Sequence, residues 1–186
     1  MKKVNILLAV ILASAFTMAS CGTENGDGPI ISFTPESVTM SLDGTSTLDE
    51  SNNLMISGTY KSTPVADGAL HIARTDTTTI TAMKGSAGVF IIFKGKTTGT
   101  FTVTAQEASA LYSTEVGPST GAPTYIADAG DVGGSSTGTG TVTVTEYGAV
   151  GGQIKGTYTF STVLMSDPTS THTIAGTFDV TRESDS

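Results

Sequence analysis

Blocks in which glycine, threonine and an apolar residue alternate constrain this chain more than any other feature. Gly-Thr-Phe-Thr-Val-Thr occupies 99–104, Gly-Thr-Val-Thr-Val-Thr 140–145, Gly-Thr-Tyr-Thr-Phe-Ser 156–161 and Gly-Thr-Phe-Asp-Val-Thr 176–181, with Gly-Thr-Tyr at 58–60 as a shorter echo. A period of two is that of a pleated strand, whose successive side chains point to opposite faces. Each block therefore turns its glycine and two apolar residues to one face and its threonines to the other. The inward set is Phe101 and Val103, Val142 and Val144, Tyr158 and Phe160, and Phe178 and Val180. A glycine on that inward face suits a bend where a strand curls over a core. The echoes keep no fixed spacing, so they read as similar strands of one sheet system and not as a solenoid.

The same alternation runs from Pro29 onward. Threonine accounts for 34 of the 186 residues, and a β-branched side chain favours the strand over the helix. The pattern predicts strands at 30–34, 37–42, 54–61, 68–74, 78–84, 87–95, 99–105, 110–116, 123–128, 139–148, 153–164 and 172–182. Short strands parted by Gly, Asp, Ser and Pro turns predict an all-β fold, an antiparallel sandwich or up-and-down barrel of about 10 to 12 short strands. The only helical signal lies at 105–112, enough for a turn or two. Gly88-Val89-Phe90-Ile91-Ile92-Phe93 breaks the alternation, since both faces of such a strand are apolar. It reads as a central strand covered on both sides, with the short helical segment after it as one cover, in preference to an apolar ligand wall or partner surface.

The first residues read as an address. Lys2 and Lys3 precede an apolar stretch from Val4 to Phe16, which is too short to span a bilayer as a helix. Met18-Ala19-Ser20 then places small residues directly before Cys21, the only cysteine. This order resembles the lipobox of bacterial lipoproteins, and the resemblance implies cleavage before Cys21 and a lipid on its sulfur. The expected organisation is a signal peptide at 1–20, an acylated flexible tether at 21–29 and a single all-β domain at 30–186. A tether of that length reaches at most roughly 30 Å, so the domain sits close to the membrane. With Gly22 after the cysteine and Glu24 and Asp27 just beyond, the resemblance implies the outer membrane or cell surface. No second cysteine exists to form an intramolecular disulfide, so the domain stands on its core alone.

Loss of residues 1–20 leaves seven basic against 17 acidic side chains, a net charge of −10. Phosphate backbones repel such a chain and no Lys/Arg cluster offsets this, so nucleic acid is excluded as a partner. Membrane contact falls to the acyl chains on Cys21, at roughly 0.8 kcal/mol per buried CH2. The stretches Gly-Thr-Val-Thr-Val-Thr-Glu-Tyr-Gly at 140–148, Gly-Gly-Gln-Ile-Lys-Gly-Thr-Tyr-Thr-Phe at 151–160 and Ile-Ala-Gly-Thr-Phe-Asp-Val at 174–180 are similar to those of small uncharacterised β-rich lipoproteins of Bacteroidota and other Gram-negative bacteria. The resemblance implies no catalytic residues.

Chemistry-bearing residues are few. His71 and His172 are the only histidines, each inside an expected strand, and too few His or Cys ligands are present for zinc. The expectation is a chain without a catalytic centre, its histidines apart and neither set among hydroxyl and carboxylate partners in a concave site. Asp43, Asp49 and Glu50 flank one loop and Asp128 and Asp131 another. Such loops are the chain's candidate for Ca2+, although solvated turn residues explain them more simply. Tyr112, Tyr125 and Tyr147 lie in or beside the Gly-rich loops at 117–123 and 129–139 and are the candidate ligand-binding residues, able to offer stacking faces to a glycan. The function expected is therefore a non-catalytic, lipid-anchored envelope or cell-surface domain that binds or builds, with a glycan, an apolar ligand or an envelope protein as partner. A lipocalin-like carrier of a small apolar ligand is the alternative.

Overall fold

The computed structural model describes residues 36–48, 55–62, 76–116, 121–128 and 138–185, and the period-two stretches there are mostly strand, although the block at 99–104 is strand only to Thr102 and turns at Val103 and Thr104. In chain order the strands are β1 (Ser37–Val38), β2 (Met40–Leu42), β3 (Thr45–Leu48), β4 (Met55–Lys61), β5 (Thr77–Lys84), β6 (Ala87–Lys94), β7 (Gly99–Thr102), β8 (Ala108–Ser113), β9 (Thr124–Ala127), β10 (Thr139–Tyr147), β11 (Gln153–Leu164) and β12 (Asp167–Thr181). The fold is all-β, and no helix occurs among the described residues. The sheet runs β3-β2-β12-β11-β9-β8-β6-β5-β4, with β1 also on β12 and with β10 and then β7 branching from β11. It is antiparallel and curls into a half-barrel. β11 gives one edge to β12 and divides the other between β10 and β9.

Three local departures have physical causes. Asp43 (φ 50°) and Gly44 (φ 80°) form a tight turn that admits positive φ at both central residues, so Thr45–Leu48 returns as β3 where the alternation alone shows only a loop. The segment 105–112 is not helical: Ala108, Ala110 and Tyr112 alternate into the core from β8, which lies beside β6 and does not cover it. Pairing with β6 and β9 overrides the helix preference of its alanines. β12 begins at Asp167 and not at 172, because Leu164 pairs Asp167 while Val163 pairs Thr171. The residues between them, 168–170, are taken up as a bulge. The strands expected at 30–34 and 68–74, together with Cys21, His71, Asp49, Glu50 and Asp131, lie outside the described residues.

The inward set falls where the alternation puts it. Val103, Val142, Val144, Tyr158, Phe160, Phe178 and Val180 are buried in one core, with Phe101 packed against it. The register places a ring of one strand over a glycine of the next: Gly140 faces Phe160, Gly156 faces Phe178, and Tyr158 faces Gly176. A Cβ at Gly156 would overlap the Phe178 ring, and one at Gly176 would overlap the Thr39 carbonyl oxygen. Phe93 of β6 fills the middle, its centroid 5.3 Å from that of Phe101 and 6.4 Å from that of Phe178. Both faces of β6 are indeed apolar. Val89, Ile91 and Phe93 join the main core, while Ile92 meets Leu111, Ile126 and Val163 in a second cluster on the other face, with Phe90 against it.

The curl brings the last residues back to β4. Gly58 and Arg182 form a parallel bridge, the Glu183 amide donates to the Gly58 carbonyl at 2.8 Å, and Thr59 donates to the Glu183 carboxylate at 3.1 Å. Arg182 is buried there, donating to the Gly148 carbonyl at 3.0 Å and to Asp185 at 2.5 Å.

Phe160→Ala and Phe178→Ala are expected to cost roughly 3 to 5 kcal/mol in urea unfolding, and Thr157→Ala less than about 1 kcal/mol. Gly176→Ala should also destabilise severely although it adds a single methyl group. Equal costs for the phenylalanine and threonine changes would contradict the assignment of faces.

Candidate functional site

The three candidate tyrosines do not converge. Tyr112 is only 5% exposed and stacks on Tyr125 with centroids 5.7 Å apart; burial pushes its hydroxyl pKa up. Tyr125 is half-buried and meets the His172 ring edge-to-face at 4.9 Å. Tyr147 lies toward the opposite end of the sheet, edge-on to Phe93 at 6.3 Å and beneath the Arg182 guanidinium at 5.2 Å. Its hydroxyl shares a 2.7 Å hydrogen bond with Thr78, and burial raises its pKa as well. Protein side chains therefore occupy the rings that a glycan would need.

The threonines form a more regular surface. Because the blocks pair in register, Thr100, Thr143, Thr157 and Thr177 stand opposite one another across β7, β10, β11 and β12. Thr39 completes the row: its hydroxyl bonds the Thr177 hydroxyl at 2.9 Å and accepts the Thr177 amide at 3.0 Å. Strands are spaced about 4.8 Å apart, so the row presents uncharged hydroxyls at a strand's spacing. Over its β12 end lies a groove of about 410 Å³ whose lining includes Thr39, Ser41, Ser46, Thr157, Thr159 and Thr177. Tyr158 lies under it, buried, and donates its hydroxyl to the Thr39 carbonyl at 2.8 Å. Burial drives that phenol's pKa far above the usual range, so it remains a neutral donor.

The expectation sets both histidines apart from hydroxyl and carboxylate partners in a concave site; His172 does have both partners, with Asp43 half-exposed beside it. Its Nδ1 lies 2.8 Å from Asp43 Oδ2 and its Nε2 2.9 Å from Ser170 Oγ. Alternation places His172 on the face of β12 that carries Ile174 into the main core, where it meets Tyr125, which packs against that core. Asp43 arrives from the β2–β3 turn. Its Oδ1 accepts the Thr173 amide at 2.8 Å while its own amide donates to the Thr173 carbonyl at 2.8 Å. The bond to the His172 ring and the Thr173 amide together hold the Asp43 carboxyl below the usual carboxylate range. An ionised carboxylate can only accept, so Nδ1 carries a proton. In the neutral ring Nε2 is then bare and accepts from the Ser170 hydroxyl.

Asp43 had entered only as a turn acid or calcium ligand, and Ser170 had no role. The legible signal was Ser-x-His within a strand, which puts both side chains on one face. Among the described residues no three His, Cys, Asp or Glu side chains group to hold a metal ion, and Asp43 is engaged by His172 and Thr173. Gly134-Ser135-Ser136-Thr137-Gly138 has the spacing of a nucleophile elbow, but it leads into β10 and not into the helix that an elbow requires. Compared with known proteins, the chain matches no family model, no curated protein and no solved structure.

A lowered folded-state pKa means that Asp43's contribution is fully present above the ordinary carboxylate range and is lost as pH falls through the lowered value. Amide exchange at Thr173 should therefore loosen only below about pH 4. In the Asp43→Asn variant that acid step should vanish. Persistence of the step in the variant would assign it to another group.

Proposed function

We propose that this chain is a lipid-anchored protein of the bacterial outer membrane or cell surface whose β-domain binds a neutral glycan of the envelope at the threonine-lined groove. The single observation carrying the binding role is the row of uncharged hydroxyls from Thr100 to Thr39 that ends in that groove. Neutral hydroxyls match a ligand that is itself rich in hydroxyls, and they impose no charge requirement on it. Aromatic rings fill the interior around Phe93, which supports binding on the surface in preference to a carrier of apolar ligands. The anchor rests on Lys2, Lys3, the apolar stretch and Cys21, and the net negative charge argues against nucleic acid.

Titrating neutral oligosaccharides from bacterial envelopes into the full chain in detergent should give saturable heat. Thr177→Val and Thr157→Val, which remove a hydroxyl and keep the shape, should each weaken binding about three- to tenfold. Binding that is indifferent to both changes would move the site elsewhere. The anchor is checked separately: Cys21→Ala should abolish palmitate incorporation and partition out of the detergent phase. A variant that is cleaved and still partitions with detergent contradicts the lipobox reading.

A further inference from the structure

We infer that Ser170, His172 and Asp43 form a nucleophilic centre at the rim of the half-barrel, competent to take an acyl group from a small neutral carboxylic ester. The centre is distinct from the threonine groove and does not depend on the groove's binding role. Three observations carry it. The contacts use the nitrogens that such chemistry needs, Nε2 to the hydroxyl and Nδ1 to the carboxylate. The carboxylate is itself fixed, because its Oδ1 accepts the Thr173 amide while the Asp43 backbone amide donates to the Thr173 carbonyl, so it orients the ring. The serine is aimed by the bulge at 168–170, where the Asp167 carboxylate accepts the Thr169 amide at 3.1 Å and the Thr169 hydroxyl at 2.7 Å. Bulges recur beside active sites because they re-aim a side chain.

The step balances as follows. The Ser170 hydroxyl passes its proton to Nε2 as Oγ bonds to the ester carbonyl carbon. The bond from that carbon to the alcohol oxygen breaks, and the alcohol leaves with the proton held on Nε2. Water then gives a proton to the same nitrogen as its oxygen bonds to the acyl carbon, the bond from that carbon to Oγ breaks, and Oγ takes the proton from Nε2, which releases a carboxylic acid and restores Ser170. Asp43 stays ionised throughout and steadies the imidazolium that forms in each half. With the carboxylates of Asp43 and Asp167 nearby, a neutral ester is favoured over an anionic one. The partial exposure of His172 and Asp43 admits an unhindered ester.

The test is covalent labelling of the full chain in detergent with an alkyl fluorophosphonate, followed by peptide mass spectrometry, alongside turnover of p-nitrophenyl acetate. One phosphonate on Ser170 is expected, with none in Ser170→Ala. His172→Gln should slow labelling and turnover by about a hundredfold or more, and Asp43→Asn should slow both by a smaller factor. Unfolding midpoints of each variant show whether it has kept its fold, while the position of the adduct in the unaltered chain depends on no variant. Absence of a phosphonate on Ser170, an adduct on Ser136 in its place, or labelling of a folded His172→Gln chain at the original rate overturns the inference.

Discussion

Volume exchange between glycine and aromatic ring across neighbouring strands is the constraint on which the rest of this structure depends. Gly140, Gly156 and Gly176 each stand opposite a ring, and each lacks the one atom that would collide with its surroundings. A slip of one residue would turn rings outward, and a slip of two between β11 and β12 would set Tyr158 against Phe178 in one direction or Gly156 against Gly176 in the other. Register among β10, β11 and β12 is therefore selected by space as well as by hydrogen bonds, which any register can make. The outer face inherits the same register. Thr143, Thr157 and Thr177 line up because the glycines and rings behind them do.

This explains which parts were legible in the sequence. The faces of Phe101, Val142, Tyr158 and Val180 follow from alternation alone, since period two needs no knowledge of the partner strand. Which block lies beside which does not follow, because the Gly-Thr blocks resemble one another and each could in principle receive another's ring. The β2–β3 hairpin was missed because Thr45–Leu48 is short, although Asp43-Gly44 is a hairpin turn signal. The relay at His172 was half legible: Ser170 shares its strand, but Asp43 lies 129 residues away and is brought in by the pairing of β2 with β12. The start of β12 was hidden by Asp167-Pro168, which read as turn and became the edge of a bulge.

β12 shows how one strand serves two chemistries. Its even-numbered residues run from Ser170 and His172 at the rim through Ile174, Gly176, Phe178 and Val180, with Arg182 just past its end, so this side passes from a polar relay through apolar core to a buried cation. Its odd-numbered residues, Thr171, Thr173, Thr177 and Thr181 among them, make the hydroxyl face. Ala175 and Asp179 interrupt that face, and Asp179 is paired with Lys155 at 3.1 Å. The neutrality of the threonine row contrasts with the acidic charge of the chain, which is carried elsewhere.

The contact between Gly58 and the residues at 182–183 has a consequence for the order in which the molecule is completed. Bringing together points so far apart in sequence adds little loop entropy once the intervening sheet exists, because that penalty grows only with the logarithm of length. Before then it has nothing to dock against. Chains emerge from the ribosome amino end first, so β4 can find β5 early, yet its other edge must wait for Arg182 and Glu183. Until they arrive, Gly58 lacks these partners, and an unpaired strand edge is of the kind that recruits foreign strands. Arg182 and Glu183 are thus a clasp that covers β4 at Gly58.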